Sequence, residues 1–258
     1  MEQLKYSIIA VLILSLVSCQ SAFDFGDDGL IPYDDIFTNY DLSSSYMNTC
    51  YQGMSSIEWN YGTGTFMAVY TDEAQDANDV DADNLALKYY NGEMSVNNTM
   101  FTSGHYSILL KAIYNCNVFI KNIGQLEFYT LEDNRKWWPA EARILRAHYY
   151  LQLIKRYGPM PYLDEHNFED YDFSSIERPT FYSNVESIIK DCRDAIAIGG
   201  DKLPWRVSIP SDNGRATKAM AYAVMSQAIL YAASPLWNDG VNHCHHKRSY
   251  GRIGGGQL

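Results

Sequence analysis

Residues 137–163 read WWPAEARILRAHYYLQLIKRYGPMPYL and carry the most regular apolar pattern of this 258-residue chain. The apolar residues recur every three or four positions, which predicts a helix over 137–157. Two neighbouring lines of apolar side chains make its apolar surface wide, so we expect this helix to pack on more than one side. Pro139 fits the first turn, and Gly158-Pro159 ends the helix because proline cannot continue it.

Four further segments show the same kind of pattern, and helices are predicted over residues 42–52, 105–123, 180–198 and 215–233. Thr180 caps the third of these, which ends at Gly199-Gly200. The later helices are spaced as in helix-pair repeats stacked into a solenoid, although any helical bundle with long loops would show this spacing. We therefore predict an all-α fold, with residues 53–104 forming a long irregular loop region.

Polar residues and cysteines of these helices carry further expectations. The 137–157 helix has a basic lining formed by Arg143, Arg146, Lys155 and Arg156. The net charge of the chain is -11, so we expect these basic side chains to pair with acidic side chains elsewhere in the chain. Cys116 and Cys192 fall on apolar helix faces, which favours buried thiols over a disulfide. The wide spacing of the cysteines matches no zinc or redox motif.

The first nineteen residues resemble a bacterial export signal that ends in a lipobox. Lys5 precedes an apolar run, and Leu16-Val17-Ser18 leads into Cys19. The run is too short to span a bilayer, which takes about 20 residues. We predict a signal peptide over 1–18, lipidation of Cys19 and an acidic tether over 19–40, because cysteine is a strong nucleophile and several acyl chains anchor firmly. A secreted protein with a chance cysteine, or a buried N-terminal helix, is the alternative.

Composition and motifs exclude several classes of function. The net charge argues against nucleic acid as a partner, because phosphate binding requires clustered Lys and Arg. The sequence has no nucleophile elbow, no phosphate-binding glycine loop and no zinc-protease motif. A glycosidase needs two carboxylates on either side of the sugar bond, and the sequence does not place any two of Asp72, Glu73 and Asp76 in this way. A solvated acidic loop is the better interpretation of these residues. We predict neither an enzyme nor a cofactor.

The 137–163 segment and Gly214–Ser234, GRATKAMAYAVMSQAILYAAS, resemble signature segments of the SusD/RagB family of outer-membrane lipoproteins. The matched positions of the first are Ala140, Glu141, Ala142, Arg143, Leu145, Arg146, Ala147, Tyr150, Leu153, Tyr157, Gly158 and Pro161. Arg178-Pro179-Thr180 and Leu203-Pro204 stand where the family has shorter markers. The resemblance implies an α-helical fold with tetratricopeptide-like helix pairs and irregular loops.

The same resemblance implies a function and its partners. Such proteins capture oligosaccharides, or sometimes other nutrients, at the cell surface and pass them to a SusC-like TonB-dependent transporter in the outer membrane. Sugars stack on aromatic rings and bond to polar side chains. Residues of both kinds in the loop region are candidate ligand contacts: Trp59, Tyr61, Tyr70, Asp72, Tyr89, Tyr90 and Asn91. Each of them taken singly is equally well explained by packing on the helices or by facing the transporter.

The C-terminal residues depart from the family pattern. We assign 41–240 to a partial SusD-like domain and 241–258 to an aberrant, basic tail that suggests a frameshift or a truncated gene. An alternative interpretation of the tail is a metal site formed by His243, Cys244, His245 and His246. These ligands are crowded and lack supporting groups, which argues against a zinc site. The rival functions are a structural transporter lid without a ligand of its own and an inactive truncated product. A secreted hydrolase is a third class for which no residue is a candidate.

Overall fold

The computed structural model describes residues 33–54, 68, 71–74, 92–93, 103–125, 132–166, 168 and 178–238. The chain divides into two units, Met1–Ile36 and Phe37–Leu258. Of the first unit, only residues 33–36 are described. Every regular element within the described residues is helical, which confirms the predicted all-α fold.

The helices are α1 (Tyr33–Thr38), α2 (Tyr40–Cys50), α3 (Ser103–Asn122), α4 (Glu132–Tyr157), α5 (Phe181–Gly199), α6 (Lys218–Ala233) and α7 (Pro235–Asn238). Short 3-10 turns lie at Tyr51–Gly53, Ile123–Gln125 and Pro210–Asp212. From α2 to α6, each helix packs against the next one in sequence. This order agrees with the stacked helix pairs that the sequence pattern indicates. No helix in the described part of the chain combines the length and the apolarity needed to cross a bilayer.

Helix α4 is the centre of the packing. It contacts α2, α3, α5 and α6, and almost every residue from Trp138 to Ile154 is buried. The expectation that it packs on more than one side is therefore confirmed. Burying a large aliphatic or aromatic side chain contributes about 1.5–3 kcal/mol, so this helix supplies much of the hydrophobic stabilisation.

The start of α4 corrects one prediction. The helix begins at Glu132 rather than Trp137, so Pro139 lies in the helix interior and not in its first turn. Proline there removes one backbone hydrogen bond and disfavours the helix locally. Trp138 beside it is 1% exposed and stacks at an angle against Tyr40 with ring centroids 5.2 Å apart. The stabilisation gained by burying side chains such as Trp138 outweighs the local cost of a proline inside the helix.

Helix α5 begins where the sequence predicts. The Thr180 hydroxyl accepts a hydrogen bond from the Ser183 amide at 3.0 Å, which confirms the predicted cap. Helix α6 begins at Lys218 rather than Arg215, because Thr217 is its cap and Gly214 adopts a positive φ of 93° that breaks the helical path. Cys116 and Cys192 are buried free thiols, as predicted.

Helices α1 and α2 begin within residues 19–40, the segment that the sequence analysis assigns to a tether. Phe37 is fully buried, with its ring centroid 5.2 Å from Tyr46 and 5.9 Å from Phe119. The packed chain therefore reaches back at least to Phe37. The predicted signal peptide, Cys19 and the basic tail 241–258 lie outside the described residues.

Candidate functional site

Only one of the seven candidate ligand contacts lies in the described residues. Asp72 is exposed in a turn over residues 71–74, in which the Thr71 hydroxyl donates to the Ala68 carbonyl at 2.9 Å. Glu73 is exposed beside it. The other six, Trp59, Tyr61, Tyr70, Tyr89, Tyr90 and Asn91, lie outside the described residues, as does Asp76. Asp72 is thus open to solvent, and the loop site as a whole stays a prediction.

A buried group of charged side chains, the Arg146 cluster, joins α3, α4, α5 and the segment that follows α4. Its members are Arg146, Asn117, Glu165, Asp191 and Tyr162, whose hydroxyl donates to Asp191 Oδ2 at 2.5 Å. Arg146 is 1% exposed and donates to both Asp191 oxygens, at 2.7 and 2.6 Å. It also donates to Asn117 Oδ1 at 2.7 Å and to Glu165 Oε2 at 2.6 Å. The guanidinium is therefore bonded on all of its nitrogens.

Charges in the Arg146 cluster compensate one another. Burial pushes the pKa of Arg146 down, but Asp191, Tyr162 and Glu165 together outweigh burial and raise that pKa well above its ordinary value. Burial likewise pushes the pKa of Glu165 up, but the Arg146 guanidinium brings it down to about 2. Arg143 donates to the other Glu165 oxygen at 2.6 Å. The expected pairing of the α4 arginines with acidic residues is confirmed for both Arg143 and Arg146.

The second buried polar group, the Glu141 cluster, joins α4 to the start of α6 and to the turn after α2. Its members are Glu141, Arg215 and Tyr51. Glu141 is fully buried and forms a two-point ion pair with Arg215, whose Nε donates to Oε1 at 2.9 Å. The Tyr51 hydroxyl donates to Glu141 Oε1 at 2.7 Å and accepts from the Ala216 amide at 2.8 Å. Three separate chain segments therefore meet at one carboxylate.

The segment after α4 is tied down by side chains that bond its backbone. The Asn184 amide group accepts from the Met160 N–H and donates to the Met160 carbonyl, each at 2.8 Å. The Tyr150 hydroxyl accepts from the Leu163 N–H at 2.6 Å. Together with Glu165, these contacts fix residues 160–165 across α4 and α5. The signature residues of this chain thus serve to hold its frame.

His148 is a buried histidine of α4 that lies outside both clusters. It is 7% exposed, and its Nε2 has no hydrogen-bond partner within the described residues. Burial, with smaller contributions from the Lys155 and Arg156 charges, lowers its pKa from 6.5 to about 4. The folded protein therefore keeps this ring neutral over the physiological range.

We expect His148 to make stability depend on pH between about 6.5 and 4. The unfolded chain binds the proton near pH 6.5 and the folded protein only near 4, so stability is complete above 6.5 and falls as the pH drops through this window. The difference in pKa corresponds to about 3 kcal/mol. Denaturant unfolding at pH 7 and pH 4 should show a smaller loss for His148→Phe than for the unsubstituted protein. Parallel losses in the two proteins would contradict this expectation.

An exposed aromatic pair, the aromatic ledge, lies where the α5–α6 connection meets α6. It consists of Trp205 and Tyr222, whose rings are parallel within 6° and whose centroids lie 5.4 Å apart. Trp205 is 61% exposed and Tyr222 is 48% exposed. The Lys218 ammonium lies 5.8 Å from the Trp205 ring centroid and donates to the Gly200 carbonyl at 2.9 Å. The stacked pair is thus largely exposed to solvent, with a cation over the indole ring.

The aromatic ledge is not among the sites predicted from the sequence. Trp205 follows Leu203-Pro204 in a connection, and a large aromatic residue outside any helical pattern was the available signal. Its pairing with Tyr222 depends on the fold of the connection, which the sequence pattern does not reveal.

The described residues hold no group of three or more His, Cys, Asp and Glu side chains able to bind a metal ion. The alternative metal ligands His243, Cys244, His245 and His246 lie outside the described residues. The metal site in the tail therefore stays an alternative interpretation of the sequence.

A family model described as SusD-like, starch-binding and associating with the outer membrane matches residues 34–230. None of the curated proteins matches the chain.

Three solved structures illustrate the likeness in fold. A SusD-like protein from Bacteroides fragilis NCTC 9343 is 23% identical, with a TM-score of 0.60 over 77% of this chain and 36% of that one. A laminarin-binding SusD-like protein is 18% identical, with a TM-score of 0.57 over 75% and 40%. Surface glycan-binding protein A from Bacteroides uniformis is 22% identical, with a TM-score of 0.55 over 74% and 42%. The chain spans about a third of the length of the first structures that it matches.

Proposed function

The chain belongs to the SusD-like family, and from this premise we propose that it binds an oligosaccharide at the cell surface without chemically changing it. Support comes from the family description as starch-binding and from two similar structures, one named as laminarin-binding and one as a surface glycan-binding protein.

The observation that carries the proposal is the aromatic ledge. A pyranose ring has an apolar face of C–H groups, which stacks on an exposed indole and removes apolar surface from water. The hydroxyls at the ring edge need polar partners, and exposed Arg206 lies next to Trp205 in the chain. Trp205 is 61% exposed and stacked on Tyr222, so its indole is held in place and open to a ligand.

The loop residues of the sequence analysis are a second part of the proposed binding surface. The same combination of aromatic faces and polar groups is offered by Trp59, Tyr61, Tyr70, Asp72, Tyr89, Tyr90 and Asn91. We propose them as ligand contacts that act separately from the aromatic ledge, so that each set is tested by its own variants.

Delivery and anchoring complete the proposal. We propose that Cys19 is lipidated after removal of residues 1–18, that the residues between Cys19 and α1 tether the protein to the outer membrane, and that the ligand passes to a SusC-like TonB-dependent transporter. The support is the lipobox-like sequence before Cys19 and a family description that includes association with the outer membrane.

Replacing Trp205 with alanine should weaken glycan binding. Loss of one well-placed aromatic contact typically costs about 1–2 kcal/mol, which is roughly a 5–30-fold increase in Kd. The measurement is calorimetric titration of the full chain with soluble laminarin and starch oligosaccharides. Leu230→Ala is the matched control, because Leu230 is 68% exposed on the same helix as Tyr222 but is not part of the ledge.

The outcomes separate the rival functions. Weaker binding by Trp205→Ala with unchanged binding by Leu230→Ala supports the proposal. Unchanged binding by Trp205→Ala together with a loss in Trp59→Ala would place the ligand at the loop residues alone. A folded protein that binds none of a broad panel of glycans but co-purifies with a transporter would favour the structural lid.

A further inference from the structure

Two buried cysteines lie on helices that pack against each other. Cys50 is the last residue of α2, and Cys116 lies in the second half of α3. Both side chains are 0% exposed, and both thiols are free. The sequence pattern does not relate them, because 65 residues lie between them in the chain.

Contacts on either side of this pair fix how the two segments align. Asn115 Nδ2 donates to the Thr49 carbonyl at 3.5 Å. A Cβ placed on Gly53 would lie 2.8 Å from the Ala112 Cβ, so the backbone of the turn after α2 closely approaches α3. Residues 49–53 thus run against residues 115–112 in the opposite direction. Cys116, one helical turn beyond Ala112, falls opposite Cys50.

The backbone at Cys50 is also held from a third side. The Tyr149 hydroxyl of α4 donates to the Cys50 carbonyl at 2.6 Å. The Tyr149 ring fills the space beside Gly53, with Cε1 2.8 Å from the position that a Cβ there would occupy. The position of Cys50 relative to α3 is therefore set by packing and not by the thiols themselves.

We propose that Cys50 and Cys116, which are free thiols in this structure, form a disulfide bond once the protein is exported, in place of the buried thiol that the helix pattern favours at Cys116. The inference rests on the proposed location outside the cytoplasm, where disulfides form and persist. The first thiolate attacks the disulfide of an oxidant, such as a secretory dithiol oxidase or oxidised glutathione, and forms a mixed disulfide. The second thiolate then attacks the bound cysteine sulfur, which forms the S–S bond. The two thiols lose two protons, and the oxidant accepts two electrons and leaves in its reduced form.

We expect the disulfide to form while the chain is folding and not after folding is complete. Burial and the neighbouring Cys116 thiol raise the pKa of Cys50 well above its ordinary value, and a buried thiol reacts slowly because the thiolate is the nucleophile. The oxidant therefore acts before α2, α3 and α4 close over the pair. Once formed, the bond is sheltered from reductants by the same packing.

The disulfide would close the chain segment from residue 51 to residue 115, which contains the candidate ligand contacts Trp59 to Asn91. Cross-linking the two ends of a long segment restricts the unfolded chain and stabilises the folded one. Reduction should lower the Tm by roughly 5–15 °C for a domain of this size.

The test is peptide mapping of the full chain exported by a Gram-negative host. The purified protein is denatured, alkylated and digested without reduction, and the peptides are identified by mass spectrometry. We expect a linked peptide joining Cys50 and Cys116, two hydrogen atoms lighter than the two separate peptides and absent after reduction. Cys192, the third buried thiol, should be alkylated and serves as the internal control. Exported protein with Cys50 and Cys116 both alkylated, or linked to other cysteines, would overturn the proposal.

A second measurement avoids any variant that fails to fold. The Tm of the unsubstituted protein is compared with that of the same protein after it has been unfolded, reduced and refolded in the presence of reductant, and the same comparison is made with Cys192→Ser. Both proteins should lose thermal stability on reduction, and an unchanged Tm in both would contradict the proposal. Glycan binding is measured separately, so a protein that binds no glycan leaves this test intact.

Discussion

Replacing Arg146 with alanine is expected to destabilise the protein by about 3–5 kcal/mol, the cost of leaving buried charges without their partner. Arg146 is the centre of its cluster and bonds both Asp191 and Glu165, so its removal leaves Arg143, 2.6 Å from Glu165 and 3.8 Å from Asp191, as their remaining cation. Those carboxylates would remain 6% and 9% exposed, with little water to replace the guanidinium. A loss of this size is a large part of the 5–15 kcal/mol that typically separates folded from unfolded domains.

Urea-induced unfolding followed by far-UV circular dichroism measures this loss. Lys190→Ala is the matched control, because Lys190 pairs with Asp194 on the exposed surface of α5 with side chains 76% and 40% exposed. An exposed pair of this kind contributes about 0–1 kcal/mol. Equal losses in Arg146→Ala and Lys190→Ala would mean that the cluster does not hold α3, α4 and α5 together.

Replacing Arg215 with alanine is expected to cost about 2–4 kcal/mol at neutral pH. Glu141 would remain fully buried, with the Tyr51 hydroxyl as its remaining donor, and removing one partner of a buried ion pair leaves an uncompensated charge. The guanidinium also lies 4.9 Å from the Trp137 ring centroid, so a cation–π contact is lost as well.

The loss in Arg215→Ala should depend on pH. Burial raises the pKa of Glu141 above 4.5, and without Arg215 the folded protein resists ionisation of this carboxyl still more. The unfolded carboxyl ionises freely above about pH 4.5, so the destabilisation grows as the pH rises from there and is smallest at lower pH. Chemical denaturation at pH 5 and pH 7.5 tests this trend. The control is Arg206→Ala, because Arg206 is an exposed arginine in the same connection. This variant should change the free energy of unfolding by no more than about 0.5 kcal/mol. A loss in Arg215→Ala that does not depend on pH would contradict the role of Arg215 as the partner of buried Glu141.

Much of the frame follows from the sequence because local and tertiary requirements agree there. The apolar period of 137–157 predicts α4, and Thr180 predicts the start of α5 because a threonine hydroxyl satisfies an amide at a helix end. The basic lining of α4 predicts that Arg143 and Arg146 have acidic partners. Their identity as Glu165 and Asp191 depends on how the segment after α4 folds back, which no helical period encodes.

Where the sequence misleads, tertiary packing outweighs local preference. Pro139 suggests a helix start, yet α4 begins at Glu132, and Trp138 next to the proline is buried. The candidate binding residues were chosen for their type, and aromatic side chains suit a core as well as a ligand. Exposure distinguishes the two roles, and it is a property of the fold. Trp205 was therefore recognisable only once its 61% exposure and its stacking on Tyr222 were known.

The two buried clusters and the aromatic ledge suggest a division of labour within the chain. The clusters are built around the signature residues Arg146, Glu141 and Arg215 and connect α3 to α6 through α4. The aromatic ledge joins the α5–α6 connection to α6, and the Glu141 cluster holds the end of that connection through Arg215 and Ala216. The frame thereby fixes the position of one side of the proposed binding surface.

The most direct measurement is a crystal structure of the full chain bound to an oligosaccharide selected by the binding panel. We predict a sugar ring lying parallel to the exposed face of the Trp205 indole, with its hydroxyls bonded to polar side chains at the edge of the aromatic ledge. A bound oligosaccharide that makes no contact with Trp205 or Tyr222 would contradict the account.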